Sequence, residues 1–164
     1  MVQRLIVIMG VSGSGKSTIG RALASGAGWP FLEGDDFHPP ANTSKMAAGA
    51  ALTDADRVAW LDAIAAEVVG RNDPRIVLAC SALTAFVQQR LSRDMGRAAI
   101  YCWLDAPKAV IKRRMLARQH FMPTSLLQSQ LDALSPPPEA FQFDAEAPPG
   151  EIVDQILACL ASAT

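Results

Sequence analysis

The segment Gly10-Val11-Ser12-Gly13-Ser14-Gly15-Lys16-Ser17-Thr18 carries the most legible chemistry in the chain. Gly10 and Gly15 enclose four residues and are followed by lysine and serine, the Gly-x-x-x-x-Gly-Lys-Ser pattern of a triphosphate loop. Glycines let successive backbone N–H groups turn inward around phosphate oxygens. The first turn of a following helix adds partial positive charge. In such a loop Lys16 reaches the β- and γ-phosphates, and Ser17 Oγ ligates Mg²⁺. Ser12, Gly13, Ser14 and Thr18 complete the expected cradle.

A second segment, Glu-Gly-Asp-Asp-Phe-His-Pro-Pro-Ala-Asn-Thr-Ser-Lys-Met (33–46), holds adjacent carboxylates, one of two histidines and little that could build a core. Phosphoryl transfer to an alcohol needs a carboxylate to orient the hydroxyl and take its proton. It needs cations around the moving phosphoryl group and a cover that excludes water. Asp35 or Asp36 is the candidate base, and Glu33 is placed to hold waters of the metal. His38 is a candidate hydrogen-bond donor to a polyol. Arg57 opens a helix, where a cation opposes the dipole, so it is expected to face an anion or to pair with Asp54. Arg114 and Arg118 are four residues apart and share a helical face, suited to clamping phosphate. The stretch from His120 to Gln130 reads as the cover, with Phe121 and Met122 as its apolar shield.

These groups must be positioned by a scaffold. Leu5–Met9 is a short apolar run and predicts a buried strand. Lys16 to about Ala27 has helical spacing, ended by Gly26 and Gly28. Strands are predicted at Trp29–Glu33, Ile76–Cys80, Ala98–Leu104 and Phe141–Asp144. Helices are predicted at Ala41–Ala48, from a Thr53 or Asp54 cap to Val69, at Phe86–Met95, from Pro107 to about Arg118, at Ser125–Leu134 and at Ile152–Leu160. The inner face of the helix ending at Val69 is expected to hold Val58, Leu61, Ile64, Ala65 and Val68. Alternating strands and helices imply a parallel sheet with ligands at the carboxyl ends of its strands. The loops after Met9 and Glu33 should therefore meet.

The 164 residues fit one domain, 1–164, with a lid insertion at about 118–135. Half of the residues are apolar and the formal net charge is −1, so there is no electrostatic footprint for nucleic acid or anionic membrane. The longest N-terminal apolar run is far below a membrane span or a secretory signal, which predicts a cytoplasmic protein. Cys80, Cys102 and Cys159 are an odd, widely spaced set and are expected as buried thiols rather than as bridges or zinc ligands. A guanine-recognising Asn-Lys-x-Asp is lacking, and the chain is too short for a motor ATPase. A small-molecule kinase remains.

Four spans together resemble the small P-loop gluconokinases, which phosphorylate D-gluconate to 6-phospho-D-gluconate. They are MGVSGSGKST, EGDDFHPPANTSKMAAGAALTDADRVAWL, CSAL and HFMPTSLLQSQLDAL. The resemblance implies a nucleoside-monophosphate-kinase-like three-layer α/β fold with a five-stranded parallel sheet and a helical lid. It also implies ATP and Mg²⁺, a small sugar-acid substrate and a homodimer. It maps Asp35 to the acceptor base of a Gly-Asp-x-x-His motif, His38 and Arg57 to sugar-acid contacts, and Lys45 to a Lys-Met pair. Arg114 and Arg118 match lid arginines, and His120 and Gln130 lie in the lid and the helix after it. The chain departs from the family after CSAL. A lysine and a Tyr-Arg pair usual there are replaced by Thr84, Val87 and Gln88, in a segment expected to face the acceptor; Ser135 stands for a glutamate. Two other functions fit the triphosphate loop: a shikimate-kinase-like enzyme, which ordinarily shows Gly-Gly-Gly after its third strand, and a nucleotide-binding module with a decayed acceptor site.

Overall fold

Strand β1 (Arg4–Met9) is buried on both faces. Leu5, Val7 and Met9 enter one core, while Ile6 and Ile8 enter another on the opposite side. A strand covered twice needs apolar residues at every position, which explains an unbroken run where a half-exposed strand would alternate. A computed structural model describes residues 2–118 and 123–163. In chain order the remaining elements are α1 (Lys16–Ala27), β2 (Phe31–Glu33), α2 (Pro40–Ala47), α3 (Asp54–Val69), β3 (Arg75–Ala79), α4 (Ala85–Arg93), β4 (Ala98–Asp105), α5 (Lys108–Ala117), α6 (Leu127–Ala133), β5 (Phe141–Asp144) and α7 (Pro149–Ser162). Short 3-10 turns cover Gly34–Phe37 and Thr124–Leu126.

The strands form one parallel sheet in the order β2-β3-β1-β4-β5. Ile8 lies opposite Ala79 on one side and Cys102 on the other, so the carboxyl ends of the three inner strands are level. Trp60, Leu61, Ile64 and Val68 of α3, with Val87 and Leu91 of α4, close one face. Ile19 and Leu23 of α1, with Ile152, Ile156 and Leu160 of α7, close the other. A third cluster joins Val11 and Leu83 to Ile111 and Met115 of α5 and to Leu127 of α6. It seats both helices over the carboxyl ends of the strands. The three-layer α/β sandwich is thus as expected, and no helix among the described residues is long and apolar enough to cross a membrane.

Several local expectations are corrected. Strand β2 starts at Phe31, because Pro30 has no N–H to give and the Trp29 N–H closes the end of α1 on Ala24 O. Val58 is 40 % exposed and does not face inward; it sits roughly 100° around α3 from the middle of the Trp60–Leu61–Ile64–Val68 stripe. Helix α7 starts earlier than expected, with Pro149 in its first turn. Cys80 and Cys102 are buried and burial pushes both thiols up to about 12, whereas Cys159 is only half-buried.

The start of α3 is a capping box. Thr53 Oγ1 accepts from the Asp56 N–H at 3.2 Å, and Asp56 Oδ2 accepts from the Thr53 N–H at 2.8 Å. The same oxygen takes Lys45 Nζ at 2.6 Å. These bonds, that of Lys45 first, hold the Asp56 carboxyl down to about 2. Because the folded value lies below the usual 3.8, this stabilisation is complete above that pH and is lost as pH falls towards 2. Thr53→Ala is expected to lower stability by about 1 kcal/mol in urea unfolding at neutral pH, with an unchanged m-value. Asp56→Asn should flatten the acid limb of the stability curve.

Candidate active site

The turn after β1 needs three positive φ angles, and glycine supplies each: Gly10 (+148°), Gly13 (+81°) and Gly15 (+100°). At Gly10 a Cβ would come within 2.7 Å of Ser14 Oγ and 2.8 Å of Leu104 O. At Gly15 it would meet nothing nearer than Arg114 Nη1 at 4.0 Å, so that side of the loop is open. Gly15 caps α1, directing the first-turn N–H groups at the same opening. Lys16 Nζ donates to Val11 O at 3.0 Å. Burial disfavours its charge, against the opposing attraction of Asp35, Cys80 and Glu33. A desolvated ammonium over a ring of inward amides is a site built for an anion.

Glycine is also required after β2. A Cβ on Gly34 would lie 2.5 Å from Ala79 O at the end of β3. The chain passes this close only without a side chain, and it then turns through Gly34–Phe37. The Gly34 carbonyl accepts the Trp60 indole N–H at 2.7 Å, deep in the core. This resolves the choice between neighbouring carboxylates: Asp35 lines the pocket beside Lys16, and Asp36 does not. His38 stacks on Trp60 with centroids 4.5 Å apart and 11° between planes, its Nε2 3.9 Å from Asp35 Oδ1. Burial lowers the His38 pKa, with Asp35 opposing and Arg57 adding to the fall.

One cavity of about 150 Å³ gathers Ser12, Gly13, Gly15, Lys16, Ser17, Asp35, His38, Arg57, Arg118 and Gln130. Arg57 pairs with Asp54 at 2.9 Å, one of the two expectations for it, and it also lines the cavity. Gln130 Oε1 accepts the Ser12 N–H at 2.7 Å, tying α6 to the loop. Glu33 does not itself line the cavity, but its Oε2 accepts from Ser17 Oγ, which does; burial raises the Glu33 pKa, with the Ser17 bond opposing. No group of three or more His, Cys, Asp or Glu among the described residues is arranged to hold a metal. Ser17 with Glu33 nevertheless fits Mg²⁺, which keeps several waters and takes few protein ligands beside phosphates.

Several expected residues do not line the cavity: Gly10, Ser14 and Thr18 of the loop, Glu33, Lys45 and Arg114. Lys45 is held by Asp56 and does not line the cavity. Arg114 is braced on the backbone, donating to Ser14 O at 3.3 Å and Ala145 O at 2.7 Å, outside the lining. His120, Phe121 and Met122 lie outside the described residues. Sequence reasoning gave no role to Gly34, Trp60 or Ser81, although all three lie in the spans that carry the family resemblance and Gly34 opens its Gly-Asp-x-x-His motif.

The segment after CSAL was expected to face the acceptor, and its residues do not line the cavity. Thr84, Val87 and Gln88 are absent from the cavity lining. Val87 is in the core, and Gln88 Nε2 donates to Ala82 O at 2.9 Å and Ser135 O at 2.8 Å. Those bonds hold Ala82 in a left-handed conformation (φ 46°) beside the cavity residues Ser81 and Leu83. In this chain Gln88 thus braces the loop after β3, and none of the three residues lines the cavity.

A triphosphate loop after the first strand of this parallel sheet, with a carboxylate turn after the second, defines a P-loop small-molecule kinase. A family model described as an AAA domain matches residues 5–137. The chain is 38 % identical over 162 residues to the gluconokinase of Gluconobacter oxydans (strain 621H), covering 94 % of this chain and 89 % of that one. It is 42 % identical to the crystal structure of a gluconokinase from Sinorhizobium meliloti 1021, with a TM-score of 0.86 over 99 % of this chain and 94 % of the other. Shikimate kinase from Aquifex aeolicus shares the fold at 17 % identity and a TM-score of 0.56, over 97 % of each chain. The chain belongs to the gluconokinase family.

Gly34→Ala is expected to be destabilising, by about 1–3 kcal/mol as for other overpacked sites, because the obstacle is backbone and cannot rotate away. Chemical unfolding reads the loss, and weaker near-ultraviolet dichroism from Trp60 should accompany it.

Proposed function

We propose that the chain transfers the γ-phosphoryl group of ATP to the terminal hydroxyl of D-gluconate, giving 6-phospho-D-gluconate. The observation that carries this reading is one cavity presenting a carboxylate, an imidazole and a guanidinium, Asp35, His38 and Arg57, opposite Lys16 of the phosphate loop. A polyol acid offers matching groups: a hydroxyl proton for Asp35, oxygen lone pairs for His38 and a carboxylate for Arg57.

In this reading Asp35 orients the acceptor alcohol and takes its proton, and Lys16 with Arg118 offsets negative charge at the moving phosphoryl. Arg114 acts by bracing Ser14 and so the shape of the loop. Residues Ser12–Thr18 hold the nucleotide, and Ser17 and Glu33 hold Mg²⁺, whose chemistry is to neutralise charge on the phosphates. In this reading the lid insertion at about 118–135 covers the site of a single domain; of its described residues, Arg118, Leu126, Ser129, Gln130 and Ala133 line the cavity. Water is thereby kept from the donor until the acceptor is bound.

ADP release is expected with gluconate and not with shikimate. Asp35→Asn should lower kcat by about 10²- to 10⁴-fold while ATP affinity stays within about twofold. Equal losses in turnover and ATP affinity would remove Asp35 from its role, and turnover with shikimate alone would replace the substrate.

A further inference from the structure

Behind His38 sits an asparagine that the reading above does not use. Asn42, on α2, is 5 % exposed. Its Nδ2 is 2.8 Å from the main-chain oxygen of Asp56 and 3.3 Å from His38 Nδ1. A carbonyl oxygen has no proton to donate, so the NH₂ edge of the amide must face Asp56, and that fixes which way round the amide lies. The same nitrogen has a second proton, and among the described residues only His38 Nδ1 is within reach of it. Nδ1 therefore accepts, and a neutral imidazole that accepts at Nδ1 carries its proton at Nε2.

The stack on Trp60, itself pinned to Gly34 O, fixes the plane of the ring; within that plane a ring turned over would set a carbon instead of Nδ1 against the Asn42 N–H. Protonating Nδ1 would set two N–H groups head-on across 3.3 Å. Two charged groups face the imidazole: Asp35 from the 3-10 turn, favouring the cation, and Arg57 from α3, opposing it. Burial sides with Arg57 and outweighs Asp35. The Nε2–H edge points to the carboxylate side, 3.9 Å from Asp35 Oδ1. One alcohol oxygen can lie about 2.8 Å from both atoms, accepting from Nε2–H while donating its own proton to the carboxylate.

We infer that Asn42 is a positioning residue that locks His38 in its Nε2–H tautomer, so that His38 and Asp35 present a matched donor and acceptor to a single hydroxyl of the substrate. The identity of that substrate rests on the gluconate reading; the tautomer does not. The pair discriminates chemically, since an ether or a deoxy carbon at that place cannot both accept and donate.

Nitrogen-15 NMR of the imidazoles in the full chain tests this directly, because the chain has only two histidines and a His120→Gln sample assigns the signals. At neutral pH wild-type His38 is expected with an unprotonated Nδ1 and a protonated Nε2. Asn42→Asp removes the N–H groups and should draw the proton to Nδ1. The KM for gluconate should then rise about three- to tenfold, with that for ATP within about twofold. A protonated Nδ1 in the wild type would overturn the inference. So would an Asn42→Asp variant with unchanged tautomer and unchanged KM for gluconate. If that variant does not fold, the wild-type spectrum alone decides. The expected tautomer in an enzyme that does not turn over gluconate would support the lock and remove only the gluconate reading.

Discussion

The bond from the Trp60 indole N–H to the Gly34 carbonyl sets where the acceptor side of this enzyme can stand. It joins the helix that closes one face of the sheet to the turn that leaves β2, within the buried core. A buried carbonyl left unpaired there costs about 1–3 kcal/mol, so the turn has little freedom to drift. The bond is reachable only because residue 34 has no side chain to strike the end of β3. Asp35 follows at once, and His38 stacks on the same indole. One tryptophan thus fixes the height of the turn and the plane of the imidazole.

The donor side depends on a different constraint. Backbone amides can converge on an anion only if the chain bends through conformations open to glycine, and β1 must end level with its neighbours for the bend to open upward. The two sides meet because all five strands run parallel, which puts every strand-to-helix loop at one edge. Charge is distributed unevenly across that edge. Lys16 and Glu33 are both desolvated, and Asp35 acts on each, favouring the charge of Lys16 and disfavouring that of Glu33. A phosphate arriving in the loop would relieve Lys16, and a cation at Ser17 would relieve Glu33.

Much of this was legible in the residues. The doubly buried run Leu5–Met9 and the loop after it are local signals with steep physical requirements, so the sheet and the cradle followed from them. Asp35 against Asp36 was decidable only through the family motif, because adjacent loop residues have no periodicity to tell inside from outside. Trp60 looked like any apolar residue on a helical stripe; its role depends on a carbonyl 26 positions away. Lys45 is drawn to Asp56, which belongs to another helix. Val87 and Gln88 turned inward because α4 begins at Ala85 with Thr84 as its cap, a phase that one residue would change. Long-range hydrogen bonds and helix phase, rather than composition, account for what the sequence alone could not resolve.

The central claim is that one cavity serves both the nucleotide and the alcohol. A crystal structure with gluconate and a non-hydrolysable ATP analogue tests it most directly. The account requires the sugar acid's terminal hydroxyl within hydrogen-bonding distance of the Asp35 carboxylate, in line with the γ-phosphorus held over Lys16. Gluconate bound away from Asp35, or a triphosphate whose γ-phosphorus points away from that carboxylate, would contradict it.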